Sequence, residues 1–186
     1  MKIKVTLAAI LLTLVFIQVH LDAQQPASTP TPAESNLVFR DPFKLILRTD
    51  EKHAYEQDFG KVPYVANGDV YLFVKDNFGV NLKLDGDKVT EVIYQPDIAK
   101  ADVSFHFTQE KMNDGFMMML TIKNNTKHSL HMNALMTVPG QTGIKQTSIL
   151  PVEAGLSNFE SWPHPIVQLV LRDLRFTKEI TSTTKE

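Results

Sequence analysis

Along most of the chain the apolar positions recur every second residue. Val103, Phe105 and Phe107 alternate with Ser104, His106 and Thr108. Leu130, Met132, Ala134 and Met136 alternate with His131, Asn133 and Thr137, with Leu135 breaking the polar side. Val167, Leu169 and Leu171 alternate with Gln168 and Arg172. A period of two puts one parity on each face of a strand, so these runs predict half-buried β-strands. Tyr71–Val74 and Phe116–Ile122 are apolar at both parities, as central or doubly covered strands are. Turn chemistry separates the runs. Leu84-Asp85-Gly86-Asp87-Lys88 lies between Val80–Leu84 and Val89–Tyr94, and Asn113-Asp114-Gly115 divides the Val103 and Phe116 runs. Asn124-Asn125-Thr126-Lys127 and Pro139–Gly143 end the next two. Turns at this spacing predict about nine short strands in an all-β, single-domain antiparallel sandwich, with a closed barrel as the alternative.

The first 23 residues follow a different rule. Lys2 and Lys4 precede an unbroken apolar stretch from Leu7 to Ile17, and the segment ends in the small residue Ala23. A basic start, a short apolar centre and a small residue at the end mark a secretory signal peptide. The centre is shorter than the roughly 20 residues that a membrane-crossing helix needs. The expected organisation is therefore signal peptide 1–23, a Pro/Thr/Ser-rich tether 24–35, a β-sandwich domain 36–176 and a tail 177–186. Pro26, Pro30 and Pro32 hold the tether extended. After cleavage no transmembrane span is expected; an uncut segment would stay as a weak anchor, and Leu21 stands where cleavage prefers a small residue.

Composition adds where the chain works. It has no cysteine, which excludes a disulfide scaffold, a thiol catalyst and a lipidated N-terminal cysteine. An exported domain without disulfides fits a bacterial periplasmic or secreted protein. The 19 basic and 21 acidic residues give a net charge of −2. That balance supplies no attraction for nucleic acid or for an anionic membrane face.

The segment Phe116-Met-Met-Met-Leu-Thr-Ile-Lys-Asn124-Asn-Thr, followed by Leu130-His-Met-Asn-Ala, resembles the paired strands of immunoglobulin-like domains in bacterial exported proteins. There an apolar strand ends in an Asn-rich turn and returns as a second strand. The resemblance covers residues 116–174 and implies an immunoglobulin-like antiparallel β-sandwich. The paired cysteines of antibody domains are absent, and a fold of this type assigns no function.

The densest group of distinctive side chains is Phe159-Glu160-Ser161-Trp162-Pro163-His164-Pro165. The prolines keep it extended, at a sheet edge or in a loop. Glu160, Trp162 and His164 are the candidate binding residues, since an aromatic face beside a charge and an imidazole can grip a ligand or partner. The competing reading, which the sequence favours, is a corner plug with Trp162 buried and Glu160 bonded to backbone amides. A second group is His106, His131 and Met132, within a set enriched in Met112, Met117, Met118, Met119 and Met136. Imidazole with thioether suits copper, but methionine is equally a flexible core filler. His128 and His131, three apart, would face opposite ways on a strand.

Catalytic patterns are incomplete. Gly155-Leu156-Ser157 lacks the closing glycine of a nucleophile elbow. Glu153, Glu160 and Asp173 form no obvious acid/base pair. Asp85-Gly86-Asp87 lacks the rest of a calcium loop. Asn124-Asn125-Thr126 matches a glycosylation acceptor, which matters only in a eukaryotic secretory pathway. Tyr64 and Tyr71, around Asn67-Gly68-Asp69, read as a recognition loop or as caps on a core.

Together these features lead to an exported, non-enzymatic binding or interaction module of the bacterial cell envelope, with no cofactor, no metal and no catalytic residues assigned. Its expected partner is an envelope protein or cell-surface component. The alternative is a periplasmic copper-binding protein using His/Met ligands.

Overall fold

The computed structural model describes residues 37–176 apart from 87 and 114. The expected signal peptide, tether and tail lie outside the described residues, as do Asp87 and Asp114 of the two turn motifs. The strands are β1 (Phe39–Arg40), β2 (Phe43–Arg48), β3 (Ala54–Phe59), β4 (Val62–Pro63), β5 (Val65–Ala66) and β6 (Asp69–Leu72). There follow β7 (Asp76–Asp85), β8 (Lys88–Gln95), β9 (Val103–Met112), β10 (Gly115–Asn124) and β11 (Leu130–Thr137). The last three are β12 (Lys145–Thr147), β13 (Ser157–Trp162) and β14 (Gln168–Phe176). A single 3₁₀ turn, Ile98–Lys100, joins β8 to β9. Among the described residues no helix is long and apolar enough to cross a membrane.

Two five-stranded antiparallel sheets carry the fold, in the orders β13-β10-β9-β7-β8 and β12-β11-β14-β6-β5. Phe105, Phe107, Met118, Leu120 and Ile122 of the first sheet share one core with Val70, Leu72, Leu130, Ala134, Leu169 and Leu171 of the second. Among the described residues this is a sandwich with free sheet edges, and the alternation in the sequence selects the buried faces correctly. The β2–β3 hairpin adds Leu45 and Leu47 to the core.

Three expectations change. The Phe116 and Leu130 runs do not pair. β10 pairs with β9 and β13, whereas β11 pairs with β12 and β14, so Asn124–Lys127 carries the chain from one sheet to the other. Second, β10 is central but covered on one face only: Met118, Leu120 and Ile122 are buried, while Met117, Met119 and Thr121 are half-exposed. Third, Tyr71–Val74 leaves the strand at Phe73, because Phe73–Asp76 forms a turn closed by Asp76 N–H donating to Phe73 O at 3.0 Å. Lys75 takes the left-handed position in that turn (φ 79°), where glycine is favoured.

Local irregularities have identifiable causes. In β14 the alternation shifts parity, with Leu171 and then Leu174 buried. A register shift opposite His131/Asn133 and a left-handed Asp173 (φ 55°) absorb the odd spacing. In β7, Gly79 has no room for a side chain, since an added Cβ would lie 2.2 Å from Ala101 Cβ and 2.8 Å from Val103 O.

The turn of the β2–β3 hairpin depends on Asp50. Its Oδ1 accepts the N–H groups of Lys52 (2.7 Å) and His53 (2.8 Å), and Oδ2 sits 2.7 Å from His53 Nδ1. The His53 hydrogen bond, then the two backbone amides, lower the Asp50 pKa from 3.8 to about 2. A depressed folded value means that the stabilisation is present above the unfolded pKa and lost as pH falls through the folded one. Amide exchange at Lys52 and His53 is therefore expected to accelerate as pH falls below 3.8 toward about 2, relative to the β9 core amides. Constant relative protection across that window would remove Asp50 from this role.

Candidate functional site

One side of the sandwich brings together two edge strands, β13 from the first sheet and β12 from the second. Trp162 Nε1 donates to Thr147 Oγ1 at 3.1 Å, which ties β13 to β12. The segment between them is fastened by side chains. Glu160 Oε1 accepts Leu150 N–H at 2.9 Å and Asn158 Nδ2 at 2.8 Å, and Asn158 Nδ2 also donates to Leu150 O at 3.3 Å. Along this rim stand Ile144 (68 % exposed), Leu150 (66 %), Leu156 (59 %) and Phe159 (67 %), the most exposed large apolar side chains among the described residues. Isolated exposed apolar residues are ordinary on a protein surface. Four of them lie within sixteen residues of chain, beside two sheet edges that have no neighbouring strand among the described residues.

The residues expected to bind divide between surface and interior. Trp162 is buried, with its ring edge-on to Phe107 at a centroid distance of 6.4 Å. Glu160 is half-buried and anchors the rim through Leu150, and His164 is half-buried in the bend after β13. Trp162 and Glu160 thus hold the rim in place, and Phe159, next to Glu160 on the same strand, is the side chain that faces outward. Its signal was in the sequence, as the apolar residue at the parity opposite Trp162 on the same strand.

Trp162→Phe keeps most of the packing and deletes the indole donor. The expected loss is about 1–2 kcal/mol, a typical net hydrogen bond plus some lost volume. Chemical denaturation of this variant, of Thr147→Ala and of the double variant measures it. Fully additive losses would show that the Trp162–Thr147 bond contributes nothing.

The His/Met group is dispersed. His106 is exposed on the outer face of β9, whereas His131 is half-exposed on β11 of the other sheet, and Met132 is buried in the core. Because Phe105 and Phe107 on one side and Leu130 and Met132 on the other face inward, His106 and His131 occupy opposite outer faces. His128 packs beside Phe176. Among the described residues no group of three or more His, Asp or Glu side chains is placed to hold a metal ion. Ser157 opens a strand rather than a helix, and Glu153 accepts from Ser129 Oγ at 3.3 Å. Asn124 of the glycosylation-like motif is fully buried.

A second concave region is a cleft of 480 Å³ between Arg40–Ile46, Tyr64 and Phe73–Asp76. The sequence reading assigned nothing to Arg40, yet it is only 6 % exposed. It donates to both Asp76 carboxylate oxygens (3.2 and 2.5 Å), to Pro63 O (2.7 Å) and to Tyr71 O (2.5 Å). Its guanidinium carbon lies 3.9 Å from the centre of the Tyr64 ring, which in turn stacks on Tyr94. Burial pushes the Asp76 carboxyl above its ordinary value, while Arg40 and the Phe73 N–H pull it back. Nearly all of this polar chemistry is consumed internally, so the cleft is a structural junction between the N-terminal strands and the sandwich. Tyr64 lines it, whereas Tyr71 contributes only its backbone carbonyl to Arg40.

Comparison with protein-family models, curated proteins and solved structures finds no match to this chain.

Proposed function

We propose that this chain is an exported, non-enzymatic interaction module of the bacterial cell envelope, built on an immunoglobulin-like sandwich, that works through the β12–β13 rim. The observation that carries this reading is the placement of Ile144, Leu150, Leu156 and Phe159 along one sandwich side with unpaired sheet edges. Covering one such side chain is worth about 1.5–3 kcal/mol, so a partner seated here gains a substantial apolar drive. The N-terminal pattern supplies the route to the periplasm or exterior, and the tether supplies reach. In this reading Glu160 and Trp162 shape the contact surface, and His164 flanks it.

The test is capture from envelope extract by the exported chain, compared with a Leu156→Ser/Phe159→Ser variant and with a Lys83→Ser/Glu91→Ser control on the far edge. The same proteins should be retained by wild type and control and lost from the rim variant. Equal capture by all three proteins would refute the rim as the binding surface.

A further inference from the structure

The hydrogen-bond pattern of β13 shows which of its backbone groups face outward. Asn124 N–H donates to Leu156 O, and the register continues as Ile122↔Asn158, Leu120↔Glu160 and Met118↔Trp162. In an antiparallel ladder, hydrogen-bonded and non-hydrogen-bonded pairs alternate. The residues between, Ser157, Phe159 and Ser161, therefore direct their N–H and C=O groups away from β10. Phe159 N–H bonds locally to Asn158 Oδ1 at 2.8 Å, as an outward donor would. Among the described residues no backbone group pairs with these three, and the Leu150 segment is held to β13 by side chains alone.

The opposite edge of the same sheet is protected. β8 carries Lys88 and Glu91 and bulges at Thr90, opposite Lys83/Leu84, and Lys83 pairs with Glu91 at 2.6 Å. It also lies against β5 and β14. Charges and bulges are the usual means of stopping edge-to-edge pairing. β13, Ser-Asn-Phe-Glu-Ser-Trp, has one charge, no proline and no bulge.

Resting on the rim reading above, we infer that β13 pairs antiparallel with β13 of a second copy, on a two-fold axis through Phe159. The sequence of the strand is self-complementary in that register. Ser157 opposes Ser161, Phe159 opposes Phe159, and all three outward residues exchange two hydrogen bonds per pair, with Phe159 N–H exchanging Asn158 Oδ1 for the carbonyl of the second copy. Small serines flank the two phenyl rings and leave room for them. On the other face Asn158 stands opposite Glu160, and the hydrogen bonds that tie both to the Leu150 segment stay within each copy. Sliding by one pair in one direction sets Glu160 against Glu160, and sliding in either direction leaves an outward residue unpaired. A two-fold contact of this kind closes on itself and runs one continuous sheet through both copies.

Sedimentation or light scattering of the exported chain over a concentration series tests the pairing. Wild type should convert to twice its mass as concentration rises. Phe159→Lys, which opposes two ammonium groups, should weaken association about tenfold or more, while Phe159→Tyr retains it. The chain has no cysteine, so Phe159→Cys gives a clean register probe. It should cross-link to itself through a short bis-maleimide, which adds one thiol at each end, and Thr90→Cys on β8 should not. A wild type that stays monomeric, with no Phe159→Cys cross-link, overturns the pairing. In that case Phe159-dependent capture from extract leaves the interaction-module reading standing, and its absence removes both.

Discussion

Arg40→Ala is expected to lower the unfolding free energy by about 3–5 kcal/mol, the usual effect of breaking a buried ion pair from one side. The substitution leaves the Asp76 carboxylate in a site where its side chain is 13 % exposed. It also strips Pro63 O and Tyr71 O of their donor and uncovers the Tyr64 ring. Removing both charges in Arg40→Met/Asp76→Leu should recover much of the loss, because an apolar pair has no charge to desolvate. The deficit of Arg40→Ala should also depend on pH. Burial already holds the folded Asp76 pKa above 3.8, and Arg40 is the main influence pulling it down. Without Arg40 the folded value rises further. A raised folded pKa confers stability below the unfolded value, lost as pH rises through the folded one, so the deficit should grow from acid to neutral pH. Urea unfolding across that range measures it. A deficit under about 1 kcal/mol, the range of an exposed pair, would mean that the junction does not depend on this pair.

Asn124→Ala is expected to cost roughly 2–4 kcal/mol, because it deletes a buried amide that closes the crossing: Thr126 N–H loses its acceptor, and Val152 O and His128 O each lose one of two donors. Asn124 is fully buried where the chain crosses between sheets. Its Nδ2 donates to His128 O and Val152 O, both at 2.8 Å, and its Oδ1 accepts Thr126 N–H at 3.0 Å and Thr126 Oγ1 at 2.7 Å. One amide thus satisfies both the crossing and the Val152 bridge to Leu130. Asn124→Asp has the same shape but turns an acceptor oxygen toward two carbonyls, so it should be at least as damaging. Its loss should diminish on acidification, as protonation restores a donor, whereas that of Asn124→Ala should not. Denaturation of both variants at acid and neutral pH separates the two behaviours. Losses under about 1 kcal/mol in both would show that water replaces the amide without cost.

The sequence carried more of the fold than of the site. Alternation at Val103–Phe107 and Leu130–Ala134 named the buried side chains, because side-chain direction in a strand depends only on position parity. The N-terminal hairpin was equally legible in Phe43, Leu45 and Leu47 against Lys44, Ile46 and Arg48, but was not read as one. At the rim, Phe159-Glu160-Ser161-Trp162 stood out by composition. Whether Trp162 or Phe159 faced solvent depended on which face of β13 met the core, and that was set by β10.

The amino-acid sequence by itself determined the all-β character and the faces of the regularly alternating strands, which depend on residues close in the chain. Tertiary structure alone decided that β10 and β11 belong to different sheets. Ladder hydrogen bonds are made by the backbone and are the same for any residue, so local pattern does not select the partner strand. It also decided the joining of Arg40 to Asp76 across 36 positions and the exposure of the β13 edge. Both follow from long-range packing, where burial converts an ordinary arginine into a structural centre and the lack of a neighbouring strand among the described residues leaves the six residues of β13 at an edge.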